Sequence, residues 1–176
     1  MGELAAGLAK ALPQLSAKDE GHERILAVQL ARTHIDFVPL IIAASRVGLP
    51  FVLLSTDLPD KALERQRAEV AFHVLRPQVC ITDTAAGASI VEGALIAAGG
   101  AGHCKILDVQ DLRSSVESIA LQSSSDRMCN VLCFMFTGGT QRTKVVEATH
   151  EMVLHERIAY GDLWQPKPPA RGVVLA

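Results

Sequence analysis

Short apolar runs of strand length alternate with longer amphipathic stretches along this 176-residue chain, and no other feature constrains its fold as much. The runs are 25–30 (ILAVQL), 51–54 (FVLL), 79–82 (VCIT) and 105–109 (KILDV). Between the first two, 34–47 has helical spacing that puts Ile35, Val38, Ile41, Ile42 and Ser45 on one face. Gly48 is its expected C-cap and Pro50 lies just past its end. Residues 60–75, rich in Glu, Arg and Ala, read as a surface helix ended by Pro77, and Asp60 suits its N-cap. Residues 84–98 form an alanine-rich helix ended by Gly99 and Gly100. This β-α-β-α-β order, with strands apolar on both faces, predicts an α/β fold: a parallel sheet layered with helices on both faces.

The pattern changes after residue 110. Ser114, Ser115, Ser118 and the run 123–125 mark a polar connector. A strongly apolar strand follows at 130–136 (NVLCFMF), then an abrupt loop, a strand at 145–149 and a helix at 150–163 with Met152, Ile158 and Leu163 apolar. The expected organisation is therefore a first sub-lobe over 1–110, a serine-rich connector over 111–128, and a loop-bearing segment over 129–176 that begins a second sub-lobe.

Composition removes several function classes. Lysine plus arginine (17) nearly balance aspartate plus glutamate (19), for a net charge of −2, so there is no global attraction to nucleic acid or to an anionic membrane. The longest uncharged run, 128–141, is too short to span a bilayer. Glu3 stands where a signal peptide wants positive charge, and the four cysteines form no CxxC pair; Cys80, Cys129 and Cys133 read as buried thiols. A cytoplasmic protein is expected. His103 beside Cys104 has no second pair at ligand spacing, so no zinc site is expected.

One stretch carries chemical meaning. Residues 137–144 read Thr-Gly-Gly-Thr-Gln-Arg-Thr-Lys between two strands. Two glycines let the backbone curl until several N–H groups converge on an anion. The hydroxyls of Thr137, Thr140 and Thr143 add donors, and Lys144 adds a point charge. The spacing fits neither G-x-x-x-x-G-K-[ST] nor G-x-G-x-x-G. From the residues alone, a Gly-Gly hairpin turn between the strands explains the stretch as well as an anion cradle does.

The stretch FMFTGGTQRTKVVEATHEMVLH resembles the signature of adenylate-forming enzymes, the superfamily of acyl-CoA synthetases, luciferases and peptide-synthetase adenylation domains. Phe136, Thr137, Gly139, Thr140 and Lys144 match that motif's aromatic, Thr, first Gly, Ser/Thr and Lys. Thr149 and His150 match the Thr-His pair that opens its next helix. Upstream, ELAAGLAKALPQL, RILAVQLART, AASRVGLPFVLLSTDLP and CITD resemble further blocks in register, with Arg46, Gly48, Phe51, Val52, Leu54 and Pro59 kept. There are departures. Gly138 replaces a Ser, Gln141 and Arg142 replace a Thr-Gly pair, Thr143 replaces a Pro, and the loop is one residue short. Leu53 and Ser55 replace a Pro and an Asp.

The resemblance implies an N-terminal portion of an AMP-dependent ligase that activates a carboxylic acid with ATP and Mg2+ to an acyl-adenylate, inactive on its own. It implies ATP-phosphate contacts from Thr137, Gly138, Gly139, Thr140 and Lys144, with Arg142 as an added donor. The implied partners are the acid, a CoA or carrier-protein thiol, and the rest of the ligase chain. The alternative is a non-catalytic remnant or a nucleotide-binding α/β lobe. His150 is expected to cap or pack. His34, His73 and His155 are read as surface or edge residues, 64–69 as a solvated helix face, and Trp164 as a packing anchor.

Overall fold

The structure, a computed structural model, describes residues 2–11, 24–54, 56, 58–100, 103–114, 131–137 and 144–160. In chain order the elements are α1 (Gly2–Ala11), β1 (Leu26–Gln29), α2 (Phe37–Arg46), β2 (Phe51–Leu53), α3 (Lys61–Leu75) and β3 (Val79–Thr82). They continue with α4 (Ala85–Ala97), β4 (Lys105–Asp108), α5 (Val109–Ser114), β5 (Val131–Thr137), β6 (Lys144–Thr149) and α6 (His150–Tyr160). One six-stranded sheet runs β4-β3-β1-β2-β5-β6. Every neighbouring pair is parallel except β5 with β6, which is antiparallel. The layered α/β architecture expected from the strand–helix alternation is the one observed.

The strand order follows from crossovers of constant hand. A connection that reverses its direction across the sheet must also change faces. The chain leaves β1 for β2 through α2, then passes back over β1 to β3 through α3 on the opposite face. Leu26, Val28, Phe51 and Ile81 pack with Leu4 and Leu8 of α1, Leu40 of α2 and Leu112 of α5. The alternate residues Ala27, Val52 and Cys80 pack with Ala71 and Phe72 of α3 and Val91 and Leu95 of α4. This is why β1 to β3 carry no polar residue until their last positions: both faces are dry.

Local signals set the helix ends. Asp60 accepts hydrogen bonds from the N–H groups of Ala62 (2.9 Å) and Leu63 (3.3 Å), and Thr84 Oγ1 accepts one from Gly87 (3.0 Å). Gly48, at φ 67°, reverses the chain after α2 so that Leu49 N–H returns to the Ala44 carbonyl. Val109 opens α5 rather than ending β4, so the helix begins before the connector expected from residue 111.

Two helical faces differ from expectation. In α2 the buried residues are Leu40, Ala43 and Ala44, while Ile35 and Val38 are exposed. The small alanines let α1 come close, so contact distance rather than hydrophobicity selects the face. In α3 the Arg/Glu-rich stretch is not wholly solvated. Glu64 is buried, accepting from Leu58 N–H (2.8 Å) and from Lys61 Nζ (2.9 Å), which satisfies its charge.

Strand β5 carries a bulge that its sequence does not announce. Val131 pairs with Thr149 and Cys133 with Ala148, which leaves Leu132 as an extra residue. Leu132 and Cys133, though consecutive, both face the α1, α2 and α5 layer, while Val131 and Phe134 face α3 and α4. Helix α6 buries no residue, and Met152 and Ile158 are exposed. The expected helix end at Leu163, the 115–127 connector, Cys129, Trp164 and the terminal apolar run lie outside the described residues.

Two glycines test the packing. A Cβ on Gly7 of α1 would lie 2.5 Å from the Leu112 carbonyl oxygen, backbone against backbone, whereas one on Gly93 of α4 meets nothing within 4 Å. Gly7→Ala is expected to destabilise by about 1–3 kcal/mol through overpacking, and Gly93→Ala to stabilise by about 0.5–1 kcal/mol through helix propensity. Urea unfolding of the two variants measures both, and they should move in opposite directions.

Candidate functional site

Because β1 to β5 are parallel, their carboxyl ends gather on one edge: Gln29, Leu53, Thr82, Asp108 and Thr137 are the last residues of the five strands. Open α/β sheets bind ligands outside that edge. The 137–144 stretch is there. Thr137 ends β5, Lys144 begins β6, and the two are register partners across the antiparallel pair. Positions 138–143 therefore close a hairpin. Gly138, Gly139, Thr140, Gln141, Arg142 and Thr143 themselves lie outside the described residues, so of the expected phosphate contacts only Thr137 and Lys144 are placed.

Their placement can be read from the strand period. Phe136 and Val145 pack towards α3 and α4, so Thr137 and Lys144, one residue further along, present to the opposite face. Both are exposed. A hydroxyl and an ammonium thus stand side by side at the mouth of the loop, on the same face and in water. Just beyond β6, Thr149 Oγ1 accepts from Met152 N–H (3.1 Å), which caps α6, and His150 is the first residue of that helix. The Thr-His pair is therefore a helix start, as expected.

The neighbouring loop after β2 is held firmly. Thr56 Oγ1 donates to the Leu30 carbonyl (3.4 Å), and Lys61 Nζ donates to the Thr56 carbonyl (3.3 Å) and to Glu64. β2, which this loop follows, is the strand beside β5. Asp57 lies outside the described residues.

Sequence reasoning missed a polar cluster at the same edge. Only four polar residues are buried among those described, and three of them, Gln29, Asp36 and Thr82, lie at or just past strand ends. Gln29 and Thr82 are register partners. Asp36, fully buried ahead of α2, forms an ion pair with Arg113 of α5. Its backbone N–H donates to His34 Nδ1 (3.1 Å), so His34, partly exposed, also serves as a local acceptor. The available signal was an Asp immediately before a helical stretch.

Of the described cysteines, Cys80 is buried as expected, whereas Cys133, expected to be buried, and Cys104 are half-buried. Burial pushes Cys80 well above the usual thiol range, with Cys104 nearby adding to the effect, and burial alone pushes Cys104 up to about 12 and raises Cys133. None is a poised nucleophile. No group of three or more His, Cys, Asp or Glu residues among those described could hold a metal ion. Among the described residues, no helix is long and apolar enough to cross a membrane.

No protein-family model matches the chain, and no curated protein matches it in sequence. Solved structures do match in fold. One chain from structural studies of fatty acyl-adenylate ligases from E. coli and L. pneumophila superposes with a TM-score of 0.68 at 18% identity, covering 96% of this chain and 29% of its own. An o-succinylbenzoate CoA synthetase from Bacillus subtilis, in complex with its acyl-adenylate intermediate, gives 0.66 at 18% identity over 94% of this chain and 38% of its own. ATP-bound MatB from Rhodopseudomonas palustris gives 0.60 at 15% identity over 93% and 31%. The chain spans less than two fifths of the length of these structures, and over that span it shares the fold of the N-terminal part of adenylate-forming enzymes.

Two outcomes are expected here. Arg113→Ala leaves the buried Asp36 carboxylate without its partner and should cost about 2–3 kcal/mol in urea unfolding, the partly exposed Arg113 keeping the loss below that of a fully buried pair. The raised Cys104 pKa means that the unfolded chain releases its thiol proton first. The stability that this thiol contributes is therefore complete below about pH 9 and lost as pH rises towards 12. Denaturation at pH 7 and pH 10 should show that loss, and Cys104→Ala should reduce it.

Proposed function

We propose that this chain is the phosphate-gripping part of an ATP-dependent ligase that converts a carboxylic acid to an acyl-adenylate. The observation that carries this reading is the pairing of Thr137 with Lys144 across the mouth of a Gly/Thr-rich hairpin at the carboxyl edge of the sheet. It occurs in a fold whose solved counterparts are adenylate-forming enzymes.

The chemistry asks for what the loop offers. Attack of a carboxylate on the α-phosphorus builds negative charge on the departing pyrophosphate. Donors already fixed around those oxygens stabilise it without reorganising. In this reading the backbone N–H groups of Gly138 and Gly139 and the hydroxyls of Thr137 and Thr140 surround the β- and γ-phosphates. Lys144 neutralises their outer oxygens and Arg142 adds a guanidinium. Magnesium, expected with the nucleotide, would supply further charge neutralisation at the phosphates. The adenine pocket, the acid pocket and the thiol acceptor, a CoA or a carrier protein, belong to segments beyond the 137–160 hairpin and helix. The chain alone should therefore bind ATP without completing the adenylation.

Titration calorimetry with Mg-ATP tests the reading. Binding is expected, and Lys144→Ala should weaken it about tenfold or more, the worth of a charge-assisted contact to phosphate. Heats unchanged by the substitution, or no binding at millimolar nucleotide, would make the hairpin a structural turn.

A further inference from the structure

At the opposite edge of the sheet, where the strands begin, a cavity of about 430 Å³ opens on the α3 and α4 face. That volume lies within the range of small-molecule pockets. Its floor is apolar, from Ile25, Phe72, Leu95 and Phe134, and Glu147 of β6 reaches it from one side. Because each helix runs antiparallel to its strands, α3 and α4 both deliver their carboxyl ends here, with the partial negative charge that such ends carry.

The two ends are finished differently. In α4 the N–H groups of Ala98, Gly99 and Gly100 fold back onto the carbonyls of Ala94, Ile96 and Leu95. In α3 no such return exists among the described residues. Arg76 turns into the left-handed region at φ 47°, Pro77 has no N–H, and the Gln78 N–H donates to the Ile25 carbonyl instead. Arg76 is the one non-glycine residue with positive φ among those described. A strained residue thus stands where glycine would normally close the helix, and the last-turn carbonyls of α3 are left as open acceptors. Glu147 takes part in no ion pair among the described residues. Arg76, an exposed side chain, and His103 also line the rim.

Open carbonyls and a carboxylate over an apolar floor select a ligand with several N–H donors, a positive charge and a flat apolar body. We propose that this cavity binds a small primary amine carried on an aromatic body. Its ammonium is held between the end of α3 and Glu147, and its ring lies over Phe72 and Phe134. The site is at the far edge from the 137–144 hairpin and does not depend on the nucleotide reading.

The test is NMR titration of the 176-residue chain with phenethylamine and, separately, with 3-phenylpropionate, an acid of similar shape. The amine should bind and the acid at least about tenfold more weakly, since the acid meets carbonyls and Glu147 with the wrong sign. Glu147→Gln, at an exposed position, should weaken the amine about threefold. Ala98→Trp, at the rim, should abolish binding while leaving the melting transition in place; should that variant fail to fold, Glu147→Gln decides alone. Mg-ATP should not displace the amine. Equal binding of the acid, amine affinity indifferent to Glu147→Gln, displacement by Mg-ATP, or no amine binding at millimolar concentration would each overturn the proposal.

Discussion

Everything in this fold is arranged around the need to bury one strand on four sides. Strand β1 has β2 and β3 as hydrogen-bonded neighbours, α1 and α2 above it and α3 and α4 below, and Leu26, Ala27 and Val28 have no exposed surface. A strand dry on both faces has nowhere to place a polar side chain except its ends, so polarity collects where the strand stops. Gln29 and Thr82 stand there as a pair, and Asp36 reaches Arg113 just beyond. The carboxyl edge is polar because the middle of the sheet cannot be.

The same constraint explains why a loop of small residues suits the end of β5. Its parallel neighbour β2 sends the carboxyl end of β5 to the same edge as the other four strand ends, two residues past the level of Leu53, and the bulge at Leu132 lies before that point. The antiparallel partner β6 then brings Lys144 back directly opposite Thr137. A charge and a hydroxyl are placed together by backbone pairing alone, before any ligand contributes.

Much of this was legible in the residues. Runs of four to seven mainly apolar residues marked every parallel strand, and Asp60, Thr84 and Gly48 marked their helix boundaries, because caps and left-handed turns are decided by a few neighbouring atoms. What could not be read was decided by distance in space. Ala43 and Ala44 are buried in place of Ile35 and Val38 because α1 lies against them, and residues far apart in sequence choose that. Glu64 looks like any solvated helix residue until the Leu58 N–H is seen to end on it. The bulge in β5 follows from pairing with β6, and a run of consecutive apolar side chains carries no period that would betray it. The Asp36–Arg113 pair joins positions 77 apart, beyond the reach of any local pattern.

The last two strands are joined to the body of the sheet unevenly. β5 and β6 share six paired positions with one another, but β5 meets β2 at only two, Phe51 with Cys133 and Val52 with Phe134. Helix α6 adds no buried side chain to the join. Backbone amides of such a unit exchange with solvent through a partial opening that leaves the four-stranded core intact. Opening at the β2–β5 join would therefore uncover Phe134 while Thr137 and Lys144 stay opposite one another.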